Sequence, residues 1–142
     1  MKTVLIRKED VKRRWVHFDA SGQILGKLAV RAARVLMGKD KPTITPGVDT
    51  GDFVVVTNAK DVKVTGSKEE GKIYRKHTGW VGSMVERPLS DVRATKPQAV
   101  VYLAVKRMLP KNRLGAHMLR RLKVFPGGNH THQAQKPDKA EV

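Results

Sequence analysis

Three constellations in this 142-residue chain have residue types suited to chemistry. Asp49, Asp52 and Asp61 could serve a two-metal nuclease, in which paired cations activate water and steady the leaving oxygen. No further acid or histidine is convincingly placed beside them. The V-D-T-G-D spacing reads more simply as a turn stabilised by Asp and Gly, or as carboxylates that fix nearby Arg or Lys. The stretch Ser21 to Leu28, SGQILGKL, invites comparison with a phosphate-cradling glycine loop. Such a loop needs Gly five positions before the Gly-Lys pair and a hydroxyl after it. Ser21 and Leu28 stand there instead, so the magnesium ligand is missing. The helix that follows would still offer backbone N–H groups to a phosphate. His130 and His132 could share a metal, but a third ligand is lacking. They read as polar contacts in the tail. His77, Thr78, Gly79 and Trp80 combine donors, a backbone kink and one ring. They fit equally a Trp half-buried at a domain edge and a nucleic-acid contact.

The remaining chemistry is charge. Lys and Arg number 29 against 13 Asp and Glu, a net charge of +16. Self-repulsion of that size calls for a polyanionic partner. Between Asp91 and Asp138 there is no acid, while Arg93, Lys96, Lys106, Arg107, Lys111, Arg113, Arg120, Arg121, Lys123 and Lys136 fall there. An ordinary solvated helix face interleaves signs to gain i,i+4 pairs, and this stretch does not. A phosphate-binding surface is expected. Aromatics make up only 5%, too few for a row of stacking rings. The absence of cysteine excludes disulfides, thiol catalysis and Cys-based metal sites. The longest apolar run, Ala99 to Val105, is far short of the ~20 residues of a membrane span. Met1 to Arg14 lacks the apolar core of a secretory signal. The expectation is a soluble, intracellular protein with no membrane partner.

These residues need elements to position them. Trp15 to Asp19 reads as a strand, followed by a Ser21-Gly22 turn. Ile24, Leu25, Leu28, Ala29, Ala32, Val35 and Leu36 recur at helical spacing, with Lys27, Arg31 and Arg34 on another face and Gly38 as the stop. Phe53 to Thr57 suits a strand covered on both faces. Asn58 to Asp61 reads as a turn. Val62 to Thr65 and Lys72 to His77 read as strands joined by the polar segment Gly66 to Gly71, and His77 to Gly82 as irregular. Ser90 would cap a short helix over Asp91 to Thr95, and Pro97 suits the first position of the next. That helix stops at Pro110. Asn112 would cap another carrying Leu114, Met118 and Leu122. Val124 and Phe125 look extended. Together they predict one α/β domain. Its division is a basic N-terminal arm (residues 1–14), a body (15–126) and a polar C-terminal tail (127–142).

Four segments resemble the large-subunit ribosomal protein L-thirteen family: Asp19 to Ala29, Thr45 to Ala59, Lys72 to Trp80 and Val105 to Gly127. The last, VKRMLPKNRLGAHMLRRLKVFPG, is the most specific. It is similar to the family's apolar-Lys-Gly-Met-Leu-Pro signature followed by Gly and a basic helix. Position 107 departs, carrying Arg107 where the family usually has Gly. The length and the VDTGD form look like the bacterial or organellar branch, and bacterial cytoplasm is the simpler expectation. The resemblance implies a three-layer α/β/α domain with a mostly parallel central sheet. It implies a structural, non-catalytic role in the large ribosomal subunit, contact with its RNA and neighbouring proteins, and early entry into assembly.

The expected RNA-binding residues are Lys106, Arg107, Lys111, Arg113, Arg120, Arg121 and Lys123, then Lys39, Lys41, Arg75, Lys76 and His77. Contacts should go mainly to phosphates and RNA shape. No cofactor, metal or small-molecule substrate is expected. The alternative is a free-standing nucleic-acid-binding protein.

Overall fold

The computed structural model describes residues 5–140. Its first strand, β1 (Trp15–Asp19), runs parallel to β2 (Phe53–Thr57), with Trp15 opposite Phe53 and Phe18 opposite Val56. Between them lies α1 (Leu25–Met37), the helical crossover that parallel strands require. Gly38 ends α1 in the left-handed conformation, φ +76°. A β-carbon there would meet the Thr50 hydroxyl, so both the backbone and the space favour glycine. β5 (Leu122–Val124) adds on the other side of β2, and β6 (Asp138–Lys139) adds beside β1. The order is β5-β2-β1-β6, with every pair parallel. The polar C-terminal segment thus contributes β6, pairing Val16 with Asp138.

Alternation along the strands divides the sheet into two faces. Phe18, Val54, Val56 and Leu122 join Leu28, Ala29, Ala32 and Leu36 of α1 in one buried cluster. α3 (Leu89–Thr95), α4 (Pro97–Met108) and α5 (Arg113–Arg120) complete it through Leu89, Val92, Val101, Val105 and Met118. Burying a side chain such as Leu28 or Leu36 contributes about 1.5–3 kcal/mol. The opposite face carries Trp15, His17 and Phe53, and the chain after β5 covers it. Trp15 stacks on Phe53 at 4.3 Å, and His132 lies 4.9 Å from Trp15. His130 lies 5.5 Å from His17. The observed architecture is α/β with a parallel central sheet.

A separate antiparallel hairpin projects from this body. β3 (Ile73–His77) pairs with β4 (Met84–Pro88), Tyr74 opposite Arg87 and His77 opposite Met84. This differs from the expected pairing of Val62–Thr65 with Lys72–His77. Lys63 forms only an isolated bridge to Ile24, and the intervening polar segment folds into the short α2 (Lys68–Gly71). Ser90 does not cap α3. The Leu89 N–H donates to the Lys72 carbonyl at 2.9 Å, so the sheet ladder leads directly into the helix, which starts two residues earlier than expected. Pro97 opens α4 as expected. The Asn112 side chain accepts from the Gly115 N–H at 2.7 Å and caps α5.

Candidate nucleic-acid interface

The last turn of α4 carries Lys106 and Arg107, both exposed. Its helical backbone runs unbroken through Arg107, the position at which the sequence departs from its signature. The guanidinium lies 5.8 Å from the centre of the Tyr74 ring on β3, a cation–π distance. Arg107 therefore ties the hairpin to the helix and still faces solvent.

Three grooves meet around this helix end. The largest, about 720 Å³, lies between the hairpin and α4 and includes Arg75, Lys76, Arg87, Lys106 and Arg107. A second, about 440 Å³, lies between α4 and α5 and includes Lys106, Lys111 and Arg120. The third, about 490 Å³, runs from α1 to α2 and includes Lys27, Lys68, Lys72 and Arg107. Lys106 links the first to the second, and Arg107 links the first to the third. Neither Asp nor Glu lines any of them. Burial, together with the neighbouring Arg107 charge, lowers the Lys72 pKa from its ordinary value. That crowding is what a bound phosphate would relieve.

The structure thus brings together Arg75, Lys76, Lys106, Arg107, Lys111 and Arg120. Arg75 is also paired with Glu86 at 2.6 Å on the exposed hairpin. Arg113 is exposed at the start of α5, and Lys39 just beyond α1. His77 closes β3, its Nδ1 accepting the Gly79 N–H at 3.0 Å. Lys123 sits apart, in register with Val55 on the sheet face opposite the helical core.

Two expected contacts are committed inside the protein. Arg121 is only 6% exposed. Its guanidinium donates to both carboxylate oxygens of Asp49 and to the Leu36 carbonyl at 2.9 Å. Lys41 Nζ donates to Asp52 at 2.5 Å and to the Thr50 and Lys12 carbonyls at 3.0 Å each. All three ammonium protons are then engaged. These two cations are corrected from RNA contacts to anchors of the 41–52 loop: Lys41 has no ammonium proton left for a phosphate, and Arg121, which also donates its Nε–H to the Asp52 carbonyl at 3.3 Å, is buried with four of its five N–H donors engaged. The same geometry settles the aspartates. Asp49 binds Arg121 and lies 3.9 Å from Arg13, while Asp52 binds Lys41 and accepts the Arg14 N–H at 2.9 Å. Fixing nearby cations was the reading their spacing allowed. It also draws the N-terminal arm onto this loop. Met1 to Val4, part of that arm, lie outside the described residues.

The phosphate-loop region is similarly occupied. The Leu25 N–H at the start of α1 donates to the Lys63 carbonyl at 2.8 Å. Among the described residues, no three His, Asp or Glu side chains form a group able to hold a metal ion. No helix among them is long and apolar enough to cross a membrane.

Sequence reasoning missed Arg87, Lys68 and Lys72. Arg87 enters the groove only because β4 pairs with β3, and the Met84–Pro88 segment is too exposed for its alternation to mark a strand. The available signal was the Gly79/Gly82 turn between two short β-prone runs. Lys27 was visible as part of the basic face of α1.

The chain also matches known proteins. Residues 13–131 match the family model described as "Ribosomal protein L13". Large ribosomal subunit protein uL13 of Thermoanaerobacter sp. (strain X514) is 52% identical over 142 residues, covering 100% of this chain and 99% of that one. The proteins of the same name from Dictyoglomus thermophilum and Methylococcus capsulatus are 52% and 51% identical, each over the full length of both chains. An acid-free basic surface on a parallel α/β body, matched across nearly its whole length by this family's model, makes the chain a member of the ribosomal protein L13 family, which is structural and not enzymatic.

Proposed function

We propose that the chain is a structural constituent of the large ribosomal subunit that binds large-subunit ribosomal RNA and supports early assembly. The observation that carries this reading is the set of three connected grooves lined by Lys and Arg and by no acid. The names of the full-length relatives, large ribosomal subunit protein uL13, support the large subunit as the setting of that partner. Residues 15–126 form the RNA-binding body. The basic arm, tied to the body through Arg13 and Arg14, and the polar tail, which covers the outer sheet face, add surface for RNA or neighbouring ribosomal proteins. Lys106, Arg107, Lys111, Arg120, Arg75, Lys76 and Arg87 neutralise phosphates that RNA folding brings together, and counterion release drives the affinity. Arg113, Lys39, His77 and Lys123 make peripheral contacts. No cofactor, membrane or small-molecule substrate enters this function.

Binding to deproteinised large-subunit RNA, measured across a salt series, tests it. Replacing Lys106 and Arg107 with Ala should weaken binding and flatten the slope of log affinity against log salt by up to about 2. An unchanged slope would place both residues outside the interface. Gradient sedimentation separates the free-standing alternative. A ribosomal constituent travels with large subunits at moderate salt, whereas a free-standing factor leaves them and is recovered on bulk nucleic acid.

A further inference from the structure

The hairpin ends in the loop Thr78 to Ser83, where Trp80 is 79% exposed and Val81 fully so. The loop is held by its own hydrogen bonds: Thr78 N–H to the Ser83 carbonyl at 3.2 Å, and Ser83 N–H to the Trp80 carbonyl at 3.1 Å. Gly79 and Gly82 supply the positive φ angles the turn needs, +100° and +73°. An indole in this place is not half-buried at a domain edge. It stands at the end of a pre-organised ribbon, so ordering it against a partner costs little further entropy.

What surrounds the ring indicates the partner. The strands leading to it carry Arg75, Lys76, His77 and Arg87. The hairpin's one acid, Glu86, is already paired with Arg75. The acid-free groove begins at the same strands and includes Thr78. A ring presented beyond a phosphate-binding groove suits a base of the same RNA, since every base offers a π-face. We propose that Trp80 stacks on an exposed base of the bound RNA, adding an apolar contact to the phosphate contacts of the groove. The proposal rests on the RNA-binding reading above and adds a positioning contact to it. One ring is not a row of stacking rings, in keeping with the low aromatic content.

The chain has two tryptophans, and Trp15 is already stacked on Phe53. In a Trp15→Phe variant, Trp80 is therefore the only indole reporter. Titration with deproteinised large-subunit RNA should quench most of its emission and shield it from acrylamide. In the otherwise native chain, Trp80→Ala should weaken RNA binding about tenfold, leave the salt slope unchanged, and be largely rescued by Trp80→Phe. Because the side chain is exposed, the melting temperature of Trp80→Ala should match that of the parent. Binding within twofold of the parent, or emission that RNA leaves unchanged, would overturn the stacking. If Trp80→Ala binds naked RNA normally but fails to enter reconstituted subunits, the ring faces a neighbouring protein, and the stacking is again overturned. If the parent chain shows no salt-dependent RNA binding, the functional reading itself fails, and this outcome is distinct from the others.

Discussion

Arg120 and Arg121 are one position apart, a rotation of about 100° around a helix. That rotation sends Arg120 into the basic groove and Arg121 onto Asp49. A solvent-facing Arg is usually worth within about ±0.5 kcal/mol to stability. A buried guanidinium that loses its carboxylate is a different case, since the carbonyls it still bonds carry no opposite charge to repay its desolvation. Asp49→Ala should therefore destabilise the fold by about 3–5 kcal/mol in chemical denaturation, while Arg120→Ala should be nearly neutral and weaken RNA binding. A loss under about 1 kcal/mol for Asp49→Ala would show that Arg121 is not held as described. Composition made the basic surplus plain, and the acid-free stretch located it. Which cations turn inward was not legible, because the deciding partner of Arg121 lies 72 residues away in sequence.

Elements with a strong hydrophobic period were legible to within a residue or two: β1, α1, β2, α4 and α5. Each buries one continuous stripe or face. β4 and β6 were not, for two reasons. β4 is exposed along most of its length, and β6 is two residues whose place depends on the free edge of β1. The turn between α4 and α5 has a tighter constraint than its cap alone. A β-carbon on Gly115 would lie 1.9 Å from the Pro110 carbonyl oxygen, a backbone atom with little room to yield. Gly115→Ala should cost about 1–3 kcal/mol by overpacking and should spread the groove that holds Lys111 and Arg120. A melting temperature equal to the parent's would contradict that packing.

The tail-covered sheet face carries a pH dependence. Burial and the neighbouring His130 and Lys139 lower the His17 pKa from its usual 6.5, against a smaller upward pull from Asp19. The Nε2 of His17 also shares a 2.9 Å hydrogen bond with the Thr57 hydroxyl. Because the unfolded chain binds this proton more readily, the contribution is fully present above pH 6.5 and is lost as pH falls toward the folded-state value. Melting temperatures measured between pH 7.5 and 5.5 should fall more steeply for the parent than for His17→Asn. Equal slopes would assign the acid sensitivity to other groups.

At the scale of the whole molecule, the internal acids and the outer cations divide the work. Asp49 and Asp52 neutralise Arg13, Arg14, Lys41 and Arg121, holding the 41–52 loop and the N-terminal arm to the body. The grooves around α4 are lined by no acid, and of their cations named above Arg75 is paired, with Glu86. A chain of net charge +16 repels itself, and a polyanion in these grooves would relieve part of that repulsion. The need for a polyanionic partner was legible from composition, whereas the expectation of ribosomal RNA came only from the resemblance of the family motifs. A density map of the large ribosomal subunit containing this chain tests the account most directly. RNA backbone should fill the groove between the hairpin and α4, with phosphates beside Lys106, Arg107 and Arg87. A groove open to solvent, or filled by protein alone, would contradict it.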